Sequence, residues 1–194
     1  MLQELTFRAM NSHMQVLLAT DKSINQLEVP IVEGFELAEQ RFSRFRSASE
    51  CSYLNARSGQ MSLVSERMME VLELAGHYKE QTMGIFDICV GHALERAGYG
   101  ESFERIHENV SELMPQLPLS GTGLALQVDP WMKSIRIPTS CQLDFGGIVK
   151  SWTAHQVAHQ LQRDWQVGKG LLNAGGDVVV WGGASESEPW RIGI

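Results

Sequence analysis

Residues 143–152, Leu-Asp-Phe-Gly-Gly-Ile-Val-Lys-Ser-Trp, place an acid, two adjacent glycines and a lysine within the seven positions from Asp144 to Lys150. Without a Cβ, Gly146 and Gly147 let backbone groups approach a ligand closely. Asp144 can hold a hydroxyl or an amine, and Lys150 can meet a phosphate. A lysine on a glycine turn that opens a helix suits a phosphate, because the N-terminal end of the helix dipole also favours anions. A second glycine turn follows at 171–178, Leu-Leu-Asn-Ala-Gly-Gly-Asp-Val. Together the two turns point to a nucleotide-type ligand bound by backbone as much as by side chains. Taken singly, each piece has a plainer role. Asp144 could cap a helix, Lys150 could be a solvated helix lysine, and Gly175-Gly176-Asp177 could be a hairpin turn.

These turns need elements to position them. Residues 5–20 read as two short strands with a turn at Asn11-Ser12. Residues 29–45 read as a helix, with Val32, Phe35, Leu37, Ala38 and Phe42 at helical spacing and Pro30 in its first turn. Residues 49–55 read as a short turn or helix capped by Ser49. Residues 65–82 give the strongest helical pattern, with Ser65 as N-cap and Met68, Met69, Leu72 and Ala75 as its apolar face. Residues 85–90 read as a short buried segment, and 91–97 as a helix stopped at Gly98. Residues 101–123 read as a loop. Residues 124–129 and 134–137 alternate like a hairpin around Pro130. Residues 148–161 read as a helix with Ile148, Trp152, Val157 and Leu161 inward. Residues 170–173 and 178–181 read as strands, and 190–194 as the start of another. Strands at both ends with helices between them favour an α+β fold over βαβ alternation. The GxGxxG of a Rossmann unit is absent, and Gly121-Thr-Gly123 is only half of it.

The length, 194 residues, fits one domain that can bury a real core. The net charge of −7 argues against nucleic acid as a main partner and leaves room for a small anion in a local positive pocket. The three cysteines, Cys51, Cys89 and Cys141, form no CxxC and read as buried reduced thiols. Met61, Met68, Met69 and Met83 read as core filler. His155 and His159 sit four apart on a predicted helix, but no third ligand or HExxH joins them, and no metal site is read there. The N-terminus lacks a signal-peptide pattern and the chain lacks a long apolar run, so the default location is cytoplasmic. A periplasmic or membrane-anchored protein whose signal had been removed would look the same.

Several islands, in order, resemble the ApbE family of flavin transferases. Ala9-Met10-Asn11-Ser12 resembles its Ala-Met-Gly-Thr. Phe42-Ser43-Arg44-Phe45, Ser49-Glu50 and Leu54-Asn55 resemble FS-x-[YF], SE and LN. Thr82 through Asp87, with Val90-Gly91 and then Gly98-Tyr99-Gly100, resembles T-x-G-x-FDPTVGPL and GFG. Asp144 through Lys150 resembles D-L-G-G-I-A-K, and Asn173 through Asp177 resembles NAGGD. Trp190 through Ile194 resembles W-x-IGI. Asn11 stands where the family has glycine, Ile88 and His92 where it has prolines, and Val149 and Ser151 where it has alanine and glycine.

The resemblance implies an α+β, T-fold-related domain with a mixed or antiparallel sheet and packed helices. It implies FAD and Mg²⁺ as ligands, and transfer of FMN to a Ser or Thr hydroxyl of a target protein with release of AMP. Respiratory flavoprotein subunits are among such targets. Non-catalytic flavin binding and FAD pyrophosphate hydrolysis are the alternatives. Carried across, Met10 would lie against the flavin and Phe45 would fill an aromatic slot. Ile85, Phe86 and Asp87 would line the FAD pocket. Asp144 would bond the ligand, Lys150 would reach its phosphates, and the Gly147 carbonyl would bind Mg²⁺. The family's histidine motif, and the Asp and Thr that complete its metal site, come after the W-x-IGI strand, so the catalytic residues are expected beyond Ile194. The expectation is therefore a C-terminally incomplete domain. A homo-oligomer or a completing chain would cover the sheet edge left at 190–194.

Overall fold

Alternation along residues 2–19 produces a hairpin. β1 (Leu2–Ala9) and β2 (Ser12–Ala19) pair antiparallel from Leu2↔Ala19 to Ala9↔Ser12. The computed structural model describes residues 1–99, 126–183 and 190. The hairpin turn is Met10-Asn11, one residue earlier than the sequence predicts, with φ of 47° and 58°. Two consecutive left-handed residues make the kind of two-residue turn that matches strand twist. Asn11 tolerates that conformation, whereas Met10 is held in it at a cost.

The chain divides into two units, residues 1–39 with 150–194 and residues 40–149. In the first unit, β6 (Lys169–Ala174) and β7 (Asp177–Trp181) join the hairpin in the order β1-β2-β6-β7, with every pairing antiparallel. Met14, Val16 and Leu18 of β2 and Leu172 and Ala174 of β6 are buried in one cluster. Leu27, Ile31 and Phe35 of α1 (Ile24–Phe42) and Ala154, Val157, Ala158 and Leu161 of α5 (Val149–Arg163) join it. These helical residues recur every three or four positions, the spacing of one helix face.

Helix α1 starts five residues before the predicted 29, and Pro30 lies inside it rather than in its first turn. The start is set at long range. The Ile24 amide donates to Gln3 Oε1 at 2.8 Å, which satisfies one of the orphan donors of the first turn. In α5, Trp152 is only half-buried, while Ile148 just before it and Val157 and Leu161 within it are buried as expected.

Gly170 sits opposite Trp181 across the β6–β7 pair, and any Cβ there would run into the indole. Trp181 is buried and donates from Nε1 to the Val167 carbonyl at 2.9 Å. Gly170→Val should therefore destabilise the protein by about 3 kcal/mol through overpacking and loss of that bond. Urea unfolding checks this, and a cost under about 1 kcal/mol would mean the indole relocates freely.

In the second unit, α2 (Glu50–Ala56) is capped by Ser49, whose Oγ accepts from the Ser52 amide at 2.9 Å. Helix α3 (Glu66–Gln81) is capped by Ser65 and buries Met68, Met69, Leu72 and Ala75, as predicted, together with Val71. The Glu50 carboxylate accepts from the Ser65 amide and hydroxyl, both at 2.6 Å, and so ties α2 to the start of α3. Helix α4 (Gly91–Arg96) ends before Gly98, whose φ is 91°. A small antiparallel sheet has the order β3-β5-β4, built from β3 (Met61–Leu63), β4 (Gln127–Asp129) and β5 (Ser134–Arg136). The β4–β5 hairpin was expected, but β3 was not, because three residues carry too little pattern to read.

Three expectations fail in this unit. Residues 85–90 form turns rather than one buried segment, with Ile85 87% exposed while Ile88 and Cys89 are buried. Met83 is 90% exposed and Met61 45%, so neither fills the core. Cys89 and Cys141 are not reduced thiols but a disulfide, with their Cα atoms 5.3 Å apart. A separation of 52 residues hides such a pair from sequence spacing. Closing a loop of that length stabilises by about 4 kcal/mol in the chain-entropy account. Cys51 remains free and buried, as predicted. The loop expected at 101–123, including Gly121-Thr-Gly123, and the strand expected at 190–194 lie outside the described residues, apart from Trp190.

Candidate functional site

In the second unit, Asp144 is the most connected of the predicted groups. Its Oδ1 accepts from the Gly146 amide at 2.7 Å, which shapes the glycine turn as a local cap would. Its Oδ2 accepts from Arg44 Nε at 2.5 Å. The Arg44 side chain is only 6% exposed and that of Asp144 14%, so the pair is largely out of water. Arg44 also donates to the Tyr99 carbonyl, lies 3.9 Å from Glu95 and stacks 4.1 Å over the Phe45 ring. A carboxylate has about four acceptor positions, so Asp144 keeps capacity for a ligand hydroxyl or amine.

The backbone beside Asp144 is held from a distance. Leu143 donates its amide to Asn55 Oδ1 at 2.7 Å, and Asn55 Nδ2 donates to the Leu143 carbonyl at 3.0 Å. The Asp144 amide donates to the Ile88 carbonyl at 2.8 Å, and the Gly91 amide to the Gln142 carbonyl at 2.9 Å. Residues 88–91 and 142–144 thus run side by side. Phe86 reaches Gly147, where a Cβ would lie 3.3 Å from its ring. Thr82 Oγ1 accepts from the Phe86 amide at 2.9 Å and fixes the turn through Met83 and Gly84, both at positive φ. Asp87 is bound internally. Its Oδ2 meets Lys79 at 2.7 Å and its Oδ1 accepts from the Cys89 amide at 2.9 Å.

In this unit the structure therefore brings Asp144, Phe45 and Arg44 together, and Phe86 with Gly147. Asp87 turns to Lys79 instead, and Ile85 projects outward. Phe45 is 46% exposed, with Arg44 stacked on its ring. Sequence reasoning missed Arg44 and Asn55, although both lie inside the quoted islands. Their roles depend on partners 100 and 88 residues away.

Burial pushes the Cys51 thiol up to about 12 from its ordinary 9.0, with the Asp144 charge adding to the rise and Arg44 opposing it. The folded-state value is raised, so unfolding releases a proton between these two values. The thiol's contribution to stability is complete below pH 9 and is lost as pH rises towards 12. At neutral pH the native protein should take no iodoacetamide. Unfolded without reductant it should take one label, on Cys51, and with reductant three. Mass spectrometry reads all three counts, and native labelling of Cys51 would contradict its burial.

In the first unit, the second glycine turn is built by its own island. Asn173 Oδ1 accepts from the Gly176 amide at 2.8 Å, and Gly175 and Gly176 have φ of 61° and 104°. The Gly175 amide donates to the His13 carbonyl at 3.1 Å. Lys150 Nζ lies 3.3 Å from where a Gly175 Cβ would stand, so the ammonium rests on this turn. No carboxylate is paired with it among the described residues. The next residue, Ser151, donates its hydroxyl to Asp177 Oδ2 at 2.8 Å and anchors the start of α5 to the turn. Met10 is half-buried against the core cluster in the β1–β2 turn.

The sequence model of the ApbE family matches residues 10–194. The chain belongs to the ApbE family. Solved ApbE structures share its fold. The flavin transferase ApbE from Vibrio cholerae has a TM-score of 0.81 at 20% identity, covering all of this chain and 63% of that one. An ApbE protein from Thermotoga maritima gives 0.78 at 21%, covering 94% of this chain and 60% of that one. The flavinyl transferase ApbE of Pseudomonas stutzeri, in its apo form, gives 0.80 at 19%, covering 100% and 65%. The chain thus spans 60–65% of the length of these ApbE structures. No curated protein matches. The α+β class with an antiparallel sheet, read from the sequence, is the ApbE fold.

Mg²⁺ takes oxygen ligands in near-octahedral geometry. Among the described residues no group of three or more His, Cys, Asp or Glu could hold a metal. The carboxylates near the glycine turns are engaged, Asp144 by Arg44 and Asp177 by Ser151. Among the described side chains there is thus no ready-made carboxylate cluster for Mg²⁺. No helix among them is long and apolar enough to cross a membrane.

Proposed function

We propose that this ApbE-family chain binds FAD and serves the transfer of FMN from FAD to a Ser or Thr hydroxyl of a target protein, with release of AMP. Family membership over residues 10–194 carries this reading. The Lys150 ammonium on the Gly175–Gly176 turn is the feature that best supports a diphosphate. In the reaction, the acceptor oxygen bonds to the FMN-side phosphorus as the pyrophosphate P–O bond to AMP breaks. Negative charge builds on the phosphate oxygens, so a lysine there favours the transition state. Asp144 would take a ligand hydroxyl or amine with the acceptor positions that Arg44 and Gly146 leave. Phe45, Ile85 and Phe86 would offer apolar surface to the rings, and Met10 would lie against the flavin. Asp87 would act by shaping its turn. Mg²⁺ is the expected cofactor, and the part of its site assigned to this chain is the Gly147 carbonyl.

The partner is a flavin-accepting protein, such as a respiratory flavoprotein subunit. Incubation with FAD, MgCl₂ and such a subunit, followed by mass spectrometry, should show an FMN adduct on the subunit and free AMP. FMN and AMP released without any acceptor would replace this reading with FAD hydrolysis. Bound FAD with neither product would leave a flavin-binding module.

A further inference from the structure

The disulfide joins two stretches of chain that each carry groups of the candidate site. Cys89 follows Phe86 and Asp87, and Cys141 precedes Asp144, Gly146 and Gly147. Between them the Asp144 amide bonds to the Ile88 carbonyl at 2.8 Å and the Gly91 amide to the Gln142 carbonyl at 2.9 Å. No strand or helix runs through either stretch, apart from the start of α4 at Gly91. Two hydrogen bonds alone make a weak ladder, because neighbouring pairs do not reinforce them. The remaining fastening is uneven. Asn55 grips Leu143, and Asp87 holds its own turn through Lys79 and Cys89. The crosslink is buried, with both cysteines under 10% exposed.

We propose that the Cys89–Cys141 disulfide is a positioning element of the site. It fixes the spacing of the Phe86–Asp87 turn against the Asp144–Gly147 turn, and ligand affinity depends on its being closed. The ligand part of this inference rests on the FAD reading above. A dithiol opens the bond by delivering two electrons. Each sulfur takes up a proton as a thiol, and the reductant closes as its own cyclic disulfide. An oxidising compartment keeps the crosslink closed and the site formed.

The test compares the oxidised chain, the dithiol-reduced chain and Cys89→Ser/Cys141→Ser. Two quantities are read, amide hydrogen exchange and FAD titration in MgCl₂. Opening the crosslink should speed exchange at residues 86–91 and 141–147 at least tenfold, while the amides of α3 and β2 keep their protection. FAD should bind the opened forms at least tenfold more weakly. Three free thiols in the unreduced, unfolded chain would overturn the inference. So would unchanged exchange at the two turns, or loss of α3 protection along with them, since the bond would then hold the unit and not the site. If FAD binds neither the oxidised nor the opened chain, the flavin reading falls, and the exchange data still decide the positioning role.

Discussion

Replacing Arg44 with methionine should lower the unfolding free energy by about 3 kcal/mol, because it strands a desolvated carboxylate. Arg44 Nε is 2.5 Å from Asp144 Oδ2, and the guanidinium also faces Glu95 and the Tyr99 carbonyl. Removing it leaves Asp144 with the Gly146 amide and little water. A guanidinium supplies donors in a fixed fork that a single ammonium cannot copy, so Arg44→Lys should recover less than half of the loss. Arg44→Met combined with Asp144→Asn should cost less than the two single changes added together, the mark of a coupled pair. Urea unfolding of the four proteins measures this. A loss under about 1 kcal/mol for Arg44→Met would mean that the pair behaves like an exposed one.

Lys150→Ala should weaken FAD binding by about ten- to a hundredfold while leaving stability nearly unchanged. Hydrogen bonds to charged groups contribute about 1.5–3 kcal/mol, and each 1.4 kcal/mol is tenfold in affinity. Lys150 is the second residue of α5, where alanine is also a good helix former. Ser151 and Asp177 still anchor the helix start in the variant. Lys150→Arg should keep most of the affinity, because the charge is kept. Raising the salt concentration should weaken the wild type more than Lys150→Ala. Calorimetric titration distinguishes these cases, and equal affinity in wild type and Lys150→Ala would remove the lysine from the ligand site.

What could be read in the sequence was whatever neighbours determine. Ser49 and Ser65 cap helices through amides three residues on, and both caps stand in the structure. The alternation before and after Met10-Asn11 and Gly175-Gly176 gave both hairpins, because side-chain period is local. The contacts that hold the site are not local. Gln3 starts α1 from 21 residues away, Asn55 grips Leu143 from 88, and Arg44 meets Asp144 from 100. Neither residue type nor spacing announces such pairings. The disulfide escaped for the same reason. The islands named candidate groups, but not the local duties the structure gives them. Glu50, Asn55, Thr82, Asp87, Asn173 and Asp177 spend their polar atoms building turns and caps, and Asp144 does so as well as offering itself to a ligand.

Titration of FAD in MgCl₂ into the oxidised chain decides whether this chain holds FAD. Saturable binding of one FAD per chain, tighter than about 10 µM, is expected, with AMP competing for the site. No saturable heat at FAD concentrations about a hundred times higher, with the fold intact by circular dichroism, would contradict it.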